Sequence, residues 1–170
     1  MSPLARIALL LALLLPFVSL LAQQNPDERD YIAKVRLLET DPTSKEAGNA
    51  RTSLMLFTVL PPRREEHRHP CLHPQNPLRG KGNKKHAADL LIQPQFSEQA
   101  FIYEHPDQSN DDLAVTRAGV EGMLRVYEAI LKKEAFSHWE YLDDLLKLRD
   151  AGKLDDHIRE MLTSCAEEKS

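Results

Sequence analysis

"DQSNDDLAVTRAGVEGMLRVYEAILKKE", residues 107–134, decides the fold. Leu113, Val120, Leu124, Tyr127 and Leu131 recur at helical spacing and share one face. Ser109 can cap this helix. Asp111 and Asp112 then stand in its first turn and Lys132 and Lys133 in its last, the ends at which each charge favours the helix dipole. Gly119 and Gly122 fall in the middle, where each costs about 1 kcal/mol relative to Ala. Their presence predicts a close approach by another helix at that level.

The same period extends in both directions. Downstream, Ser137 and Glu140 have the spacing of a capping box, and Trp139, Leu142, Leu145 and Leu146 follow as an inward stripe. Gly152 suits a helix C-terminus, and Leu154, Ile158, Met161 and Leu162 mark a last helix before a fraying "AEEKS". Upstream, Asn25-Pro26 pairs a cap with proline at the first helical position, ahead of Tyr31, Ile32, Val35 and Leu38. Asp41-Pro42 repeats that logic before Ala47, Ala50, Leu54 and Phe57, and Pro61-Pro62 stops the helix. Leu90, Leu91, Phe96, Ala100, Phe101 and Ile102 form another helical stretch, which Pro94 is expected to kink or split. Glycine is scarce and strand-like alternation is hard to find. The expected fold is all-α, a compact bundle of five to six amphipathic helices with one long irregular Pro/His/Arg-rich segment. The turn "ETDPTSKEA" resembles that of tetratricopeptide repeats, but no second copy recurs at that family's period of about 34 residues, so an array is not supported.

At the N-terminus, Arg6 precedes the apolar run "IALLLALLLPFVSLL", and Ala22 precedes polar sequence. That order reads as a secretory signal over residues 1–22, with an uncleaved anchor as the alternative, although the run is short for a membrane span. The expectation is a secreted or periplasmic protein with one helical domain over residues 23–170, and no stable membrane insertion once the leader is removed. The net charge is −4, or −5 without Arg6, which argues against nucleic acid as a partner of the body of the protein.

Residues 61–85, "PPRREEHRHPCLHPQNPLRGKGNKK", interrupt the helical pattern. His67, His69, Cys71 and His73 alternate, so an extended chain would place these candidate metal ligands on one face. Pro70 and Pro74 match no site geometry, and the spacing fits no structural zinc pattern. Arg63, Arg64, Arg68, Arg79, Lys81, Lys84 and Lys85 offer a basic arm, but no aromatic residue accompanies them for base stacking. A solvated loop is the plainest reading. Loops of that length are uncommon inside compact helical domains, so a reading-frame error over the interval also fits. Cys71 and Cys165 are a candidate disulfide permitted by an oxidising compartment, worth about 4–5 kcal/mol on the chain-entropy model; two separate thiols is the alternative.

Elsewhere no G-x-S-x-G, phosphate-cradling glycine loop, H-E-x-x-H or C-x-x-C occurs. The pairs Asp111-Asp112, Asp143-Asp144 and Asp155-Asp156 are adjacent, and neighbours on a helix point about 100° apart and do not face each other. His138 reads as a surface histidine, and Trp139 and Tyr127 as core.

"QAFIYEHPDQSNDDLAVTRAGVEGMLRVYEAILKKE" followed by "YLDDLLKLRDAGKL" resembles a group of uncharacterised, exported, helical bacterial proteins, over about Gln99 to Ile158. "LLETDPTSKEAGNARTSLM" is similar to that group as well, whereas residues 61–85 depart from its apolar, helical pattern. The resemblance implies export and an all-helical fold, and no activity. The functional expectation is a non-enzymatic binding or scaffolding module with a protein partner and no cofactor. The alternatives are a metal-handling protein using His67, His69, Cys71 and His73, and an enzyme of unrecognised type.

Overall fold

The computed structural model describes residues 25–59 and 81–167. The leader, His67, His69, Cys71 and His73 lie outside them, as does the side chain of Cys165, so the metal and disulfide readings fall there too. Six α-helices follow in order: α1 (Pro26–Thr40), α2 (Lys45–Val59), α3 (Ala87–Glu104), α4 (Asp112–Lys133), α5 (Glu140–Asp150) and α6 (Leu154–Glu167), with a 3₁₀ turn (Pro106–Gln108) between α3 and α4. The all-α bundle is as expected, and no strand occurs among the described residues. No helix among them is long and apolar enough to cross a membrane.

The α4 helix is the axis, and α1, α3, α5 and α6 all pack on it. Its buried residues include Val115, Val120, Met123, Leu124, Val126, Tyr127 and Ile130, which cover far more than the single stripe expected. Neighbours on several sides leave α4 little solvent face. Its lower half joins Leu90, Trp139, Leu142, Leu145, Leu154 and Ile158 in one apolar cluster. A second cluster gathers Tyr31, Val35 and Leu38 of α1, Ala47, Ala50 and Leu54 of α2, and Phe96 and Ala100 of α3. Because α3 gives Leu90 to the first and Phe96 to the second, it joins the two. Pro94 neither splits nor ends α3. Proline removes one ladder hydrogen bond, and tertiary packing around this buried residue holds the helix together across it.

Local start signals compete with other partners, and several helices begin away from the expected residue. The capping box at Asn25 and Glu28 forms as read. The second helix opens after Ser44, whose hydroxyl accepts from the Ala47 N–H, and not at Asp41-Pro42. The α4 cap is Asp111, accepting from the Ala114 N–H at 3.0 Å, and not Ser109. Ser137 caps nothing. It is buried, donates to Glu134 and accepts from Asn83, while Glu140 accepts from the Lys81 N–H. The α5 start is fixed from outside: the Trp139 N–H donates to the Tyr127 hydroxyl at 2.7 Å. Gly152, at φ 69°, completes a two-bond C-terminal motif, with Gly152 N–H to Arg149 C=O and Lys153 N–H to Leu148 C=O. The α6 helix runs on to Glu167, into the tail expected to fray.

After the undescribed interval the chain re-enters through Gly82. An antiparallel bridge joins Gly82 to Trp139, and Asn83 N–H donates to His138 C=O at 2.9 Å. At Gly82, φ is 144°, and a Cβ there would stand 2.5 Å from the His138 carbonyl oxygen, so both conformation and space demand glycine.

Two glycines give opposite expectations. A Cβ at Gly122 would lie 1.9 Å from Ser97 Oγ, whereas one at Gly48 on α2 would meet nothing within 4 Å. Gly122→Ala should lower unfolding stability by about 1–3 kcal/mol through overpacking, and Gly48→Ala should raise it by about 0.5–1 kcal/mol through helix propensity. Urea titration of both variants followed by circular dichroism checks this.

Candidate functional site

The most concentrated polar assembly surrounds Glu39, in the last turn of α1. The side chain keeps only 3% of its exposure. Arg36, one turn earlier, donates from Nη1 to Glu39 Oε2 at 2.8 Å. From α4, Arg125 approaches two-pronged, Nε to Oε2 at 3.0 Å and Nη2 to Oε1 at 2.9 Å. From α3, Ser97 Oγ donates to Glu39 Oε1 at 3.0 Å and accepts from Gln93 Nε2 at 3.1 Å. Three helices thus meet on one carboxylate. Burial pushes Glu39 toward protonation, but the hydrogen bonds and charges of Arg125 and Arg36 outweigh it and hold the carboxyl below its ordinary range. Gly122 makes room: its missing Cβ is the space that Ser97 Oγ and Glu39 Oε1 occupy. The close approach read from Gly119 and Gly122 is therefore present, and its purpose is to seat polar side chains.

Sequence reasoning missed Glu39. Two signals were available: Glu39 stands four residues after Val35, beside an apolar stripe, and two glycines interrupt the partner helix.

Beside this hub a groove of about 460 Å³ opens between α3 and α4, edged by Arg36 of α1 and Asp155 of α6. Phe101, Leu113, Ala114 and Ala118 supply its apolar surface, and Arg36, Glu104, Arg117, Glu121, Arg125 and Asp155 its charges. Each arginine already holds a carboxylate. Arg36 reaches Glu104 as well as Glu39, and Arg117 pairs with Asp155 at 3.3 Å. The Phe101 ring stands against the His105 imidazole, with centroids 4.7 Å apart.

A second, shallower depression of about 320 Å³ lies where the α4–α5 corner meets the returning chain. His138 Nδ1 is 3.0 Å from Asp143 Oδ1, which also accepts from the Tyr127 hydroxyl at 2.8 Å. This chain of bonds ends on the Trp139 N–H and secures the start of α5. His138 is the surface histidine read from sequence, and Tyr127 and Trp139 are core as read. The paired carboxylates separate as helix geometry requires: Asp143 serves Tyr127 while Asp144 takes Lys147, and Asp155 takes Arg117 while Asp156 takes Arg159. Nearby, Glu134 accepts from Lys85, His86 and Ser137, and these bonds pull it down to about 2. No group of three metal-ligating side chains occurs among the described residues.

Glu98 lies on the other approach of α3 to α4. Only 8% exposed, it packs its Cγ and Oε1 where a Gly119 side chain would be, and Oε1 finds no hydrogen-bond partner among the described residues. Burial pushes its carboxyl up to about 8. Between its ordinary 4.5 and about 8, the folded protein keeps a proton that the unfolded chain releases. Stability contributed by this group therefore falls as pH rises through that window and is level above it. Glu39 and Glu134 act oppositely, since their stabilisation is present above pH 4.5 and is lost as pH falls below it. Glu98→Gln should remove the decline between pH 5 and 8 and raise stability at pH 8.5 by on the order of a few kcal/mol. Glu39→Ala should lower it by about 2–4 kcal/mol at pH 7, by leaving Arg36, Arg125 and Ser97 without their shared acceptor. Guanidinium titrations across pH 4–9 check both.

Comparison of the chain with protein families, with curated proteins and with solved structures finds no match.

Proposed function

We propose that this chain is an exported, non-enzymatic helical module that binds a protein partner through the exposed face of α2. One observation carries the reading. The α2 helix buries Ala47, Ala50 and Leu54 toward α1 and α3, yet Leu56 is 62% exposed and Met55 and Phe57 are each 42% exposed. Phe57 was expected inside. Its ring instead leans edge-on against Tyr31 at 5.9 Å, and Tyr31 meets Tyr103 in the same way at 5.4 Å. The result is an aromatic bed beside an exposed apolar ridge. Single exposed apolar residues are ordinary, but three in succession, the last of them against an aromatic ring, give an edge helix the apolar and aromatic character that protein interfaces use. Charge supports a protein partner over a polyanion, since the chain is net acidic and most cations among the described residues are engaged in ion pairs. The converging titratable groups support the non-enzymatic reading, because Glu39, Asp143 and Glu134 are each bonded between elements that they hold together.

A photo-crosslinking residue placed at Leu56, in cells producing the full chain, should give one discrete adduct that Phe57→Asp abolishes. The same residue at exposed Asp27 should give none. Equal labelling at both positions, or none at position 56, would remove the proposal. Intact-mass measurement of the exported product should show loss of residues 1–22, and a product retaining them inside the cell would remove the export part alone.

A further inference from the structure

We infer that the groove between α3 and α4 binds an organic cation, a primary amine or a guanidinium carried on an aliphatic stem. The inference is independent of the α2 face. At about 460 Å³, the groove falls within the range of small-ligand sites, about 300–1,000 Å³, and it combines an apolar surface with a few polar groups. The charge of a fitting ligand follows from how the lining groups are engaged. Arg36 is bound by Glu39 and Glu104, Arg125 by Glu39, and Arg117 by Asp155. The positive charge of these three arginines is thus already balanced by three carboxylates, Glu39, Glu104 and Asp155, so the groove offers an incoming anion no uncompensated cation. Among the lining carboxylates, Glu104 and Asp155 are taken by those arginines, and Asp111 is taken by the α4 cap. Glu121 is the remaining one: half-buried, on the same side of α4 as Arg117 and Arg125, it makes no hydrogen bond or ion pair among the described residues. Arg149 senses its charge, but that guanidinium is committed to Glu128 at 2.6 Å. The acceptor left over is therefore anionic, and Phe101, Leu113, Ala114 and Ala118 offer surface to an aliphatic stem. Such a cation comes either from a free diamine or from a Lys or Arg side chain of a protein.

The test is amide chemical-shift titration of the chain lacking residues 1–22, at low salt, with putrescine and separately with N-acetyl-lysine methylamide, using acetate as the anionic control. We expect saturable shifts confined to residues around Phe101, Ala118 and Glu121 with at least one cation, and none with acetate. Glu121→Gln should weaken that binding about tenfold, the size expected for losing one charged hydrogen bond, while leaving the rest of the spectrum in place. Tighter binding of putrescine assigns the site to free amines, and tighter binding of the capped lysine assigns it to a protein side chain. Absence of saturation with both cations, equal response to acetate, or unchanged affinity in Glu121→Gln overturns the inference.

Discussion

Glu39 is a carboxylate placed almost out of reach of water, and the arrangement of three helices follows from satisfying it. A lone buried charge is expensive, and Arg36, Arg125 and Ser97 offset that cost from α1, α4 and α3 respectively. Apolar burial is non-directional and by itself sets the register of α3 on α4 less sharply. A two-pronged arginine and a hydroxyl aimed at fixed oxygens set it more sharply, since hydrogen bonds weaken steeply with angle and distance. Gly122 belongs to the same constraint, because any side chain there would occupy the position of Ser97 Oγ.

Around that seam the bundle is organised by one helix and two apolar clusters. The α4 helix is enclosed on most of its circumference, and α3, which carries Pro94 buried in its interior, contributes to both clusters. Further toward the C-terminus of α4 a second polar arrangement does comparable work. Tyr127, Asp143, His138 and the Trp139 N–H form a continuous chain of hydrogen bonds that sets the start of α5. Glu134 draws Lys85 and His86 onto the same corner. These groups make a network of ties between helices.

The two surfaces proposed for recognition lie outside those ties. Leu56 and Phe57 sit on an edge helix that buries Ala47, Ala50 and Leu54 on its other side. Glu121 lines a groove whose arginines are already neutralised. The last turn of α3 supplies both neighbourhoods, Tyr103 to the aromatic bed and Glu104 to the groove.

The sequence by itself determined the helices and most of their inward residues. A 3.6-residue period survives any rearrangement of the helices around it, so Tyr31, Val35 and Leu38, and likewise Leu142, Leu145 and Ile158, were legible as core. Asn25 was legible as a cap because its partners are local, and so was Gly152 as a C-terminal glycine. Ser137 was not, because Glu134 and Asn83 outcompete the helix end for its hydroxyl, and Trp139 takes its bond from a tyrosine on another helix. Glycines at 119 and 122 announced a close approach without saying what approaches. Only the tertiary structure decided that it is Ser97, Glu39 and Glu98, that Phe57 faces outward and that Glu121 lines a groove. Those outcomes depend on which residues from distant parts of the chain arrive at one point, and no local period encodes that arrival.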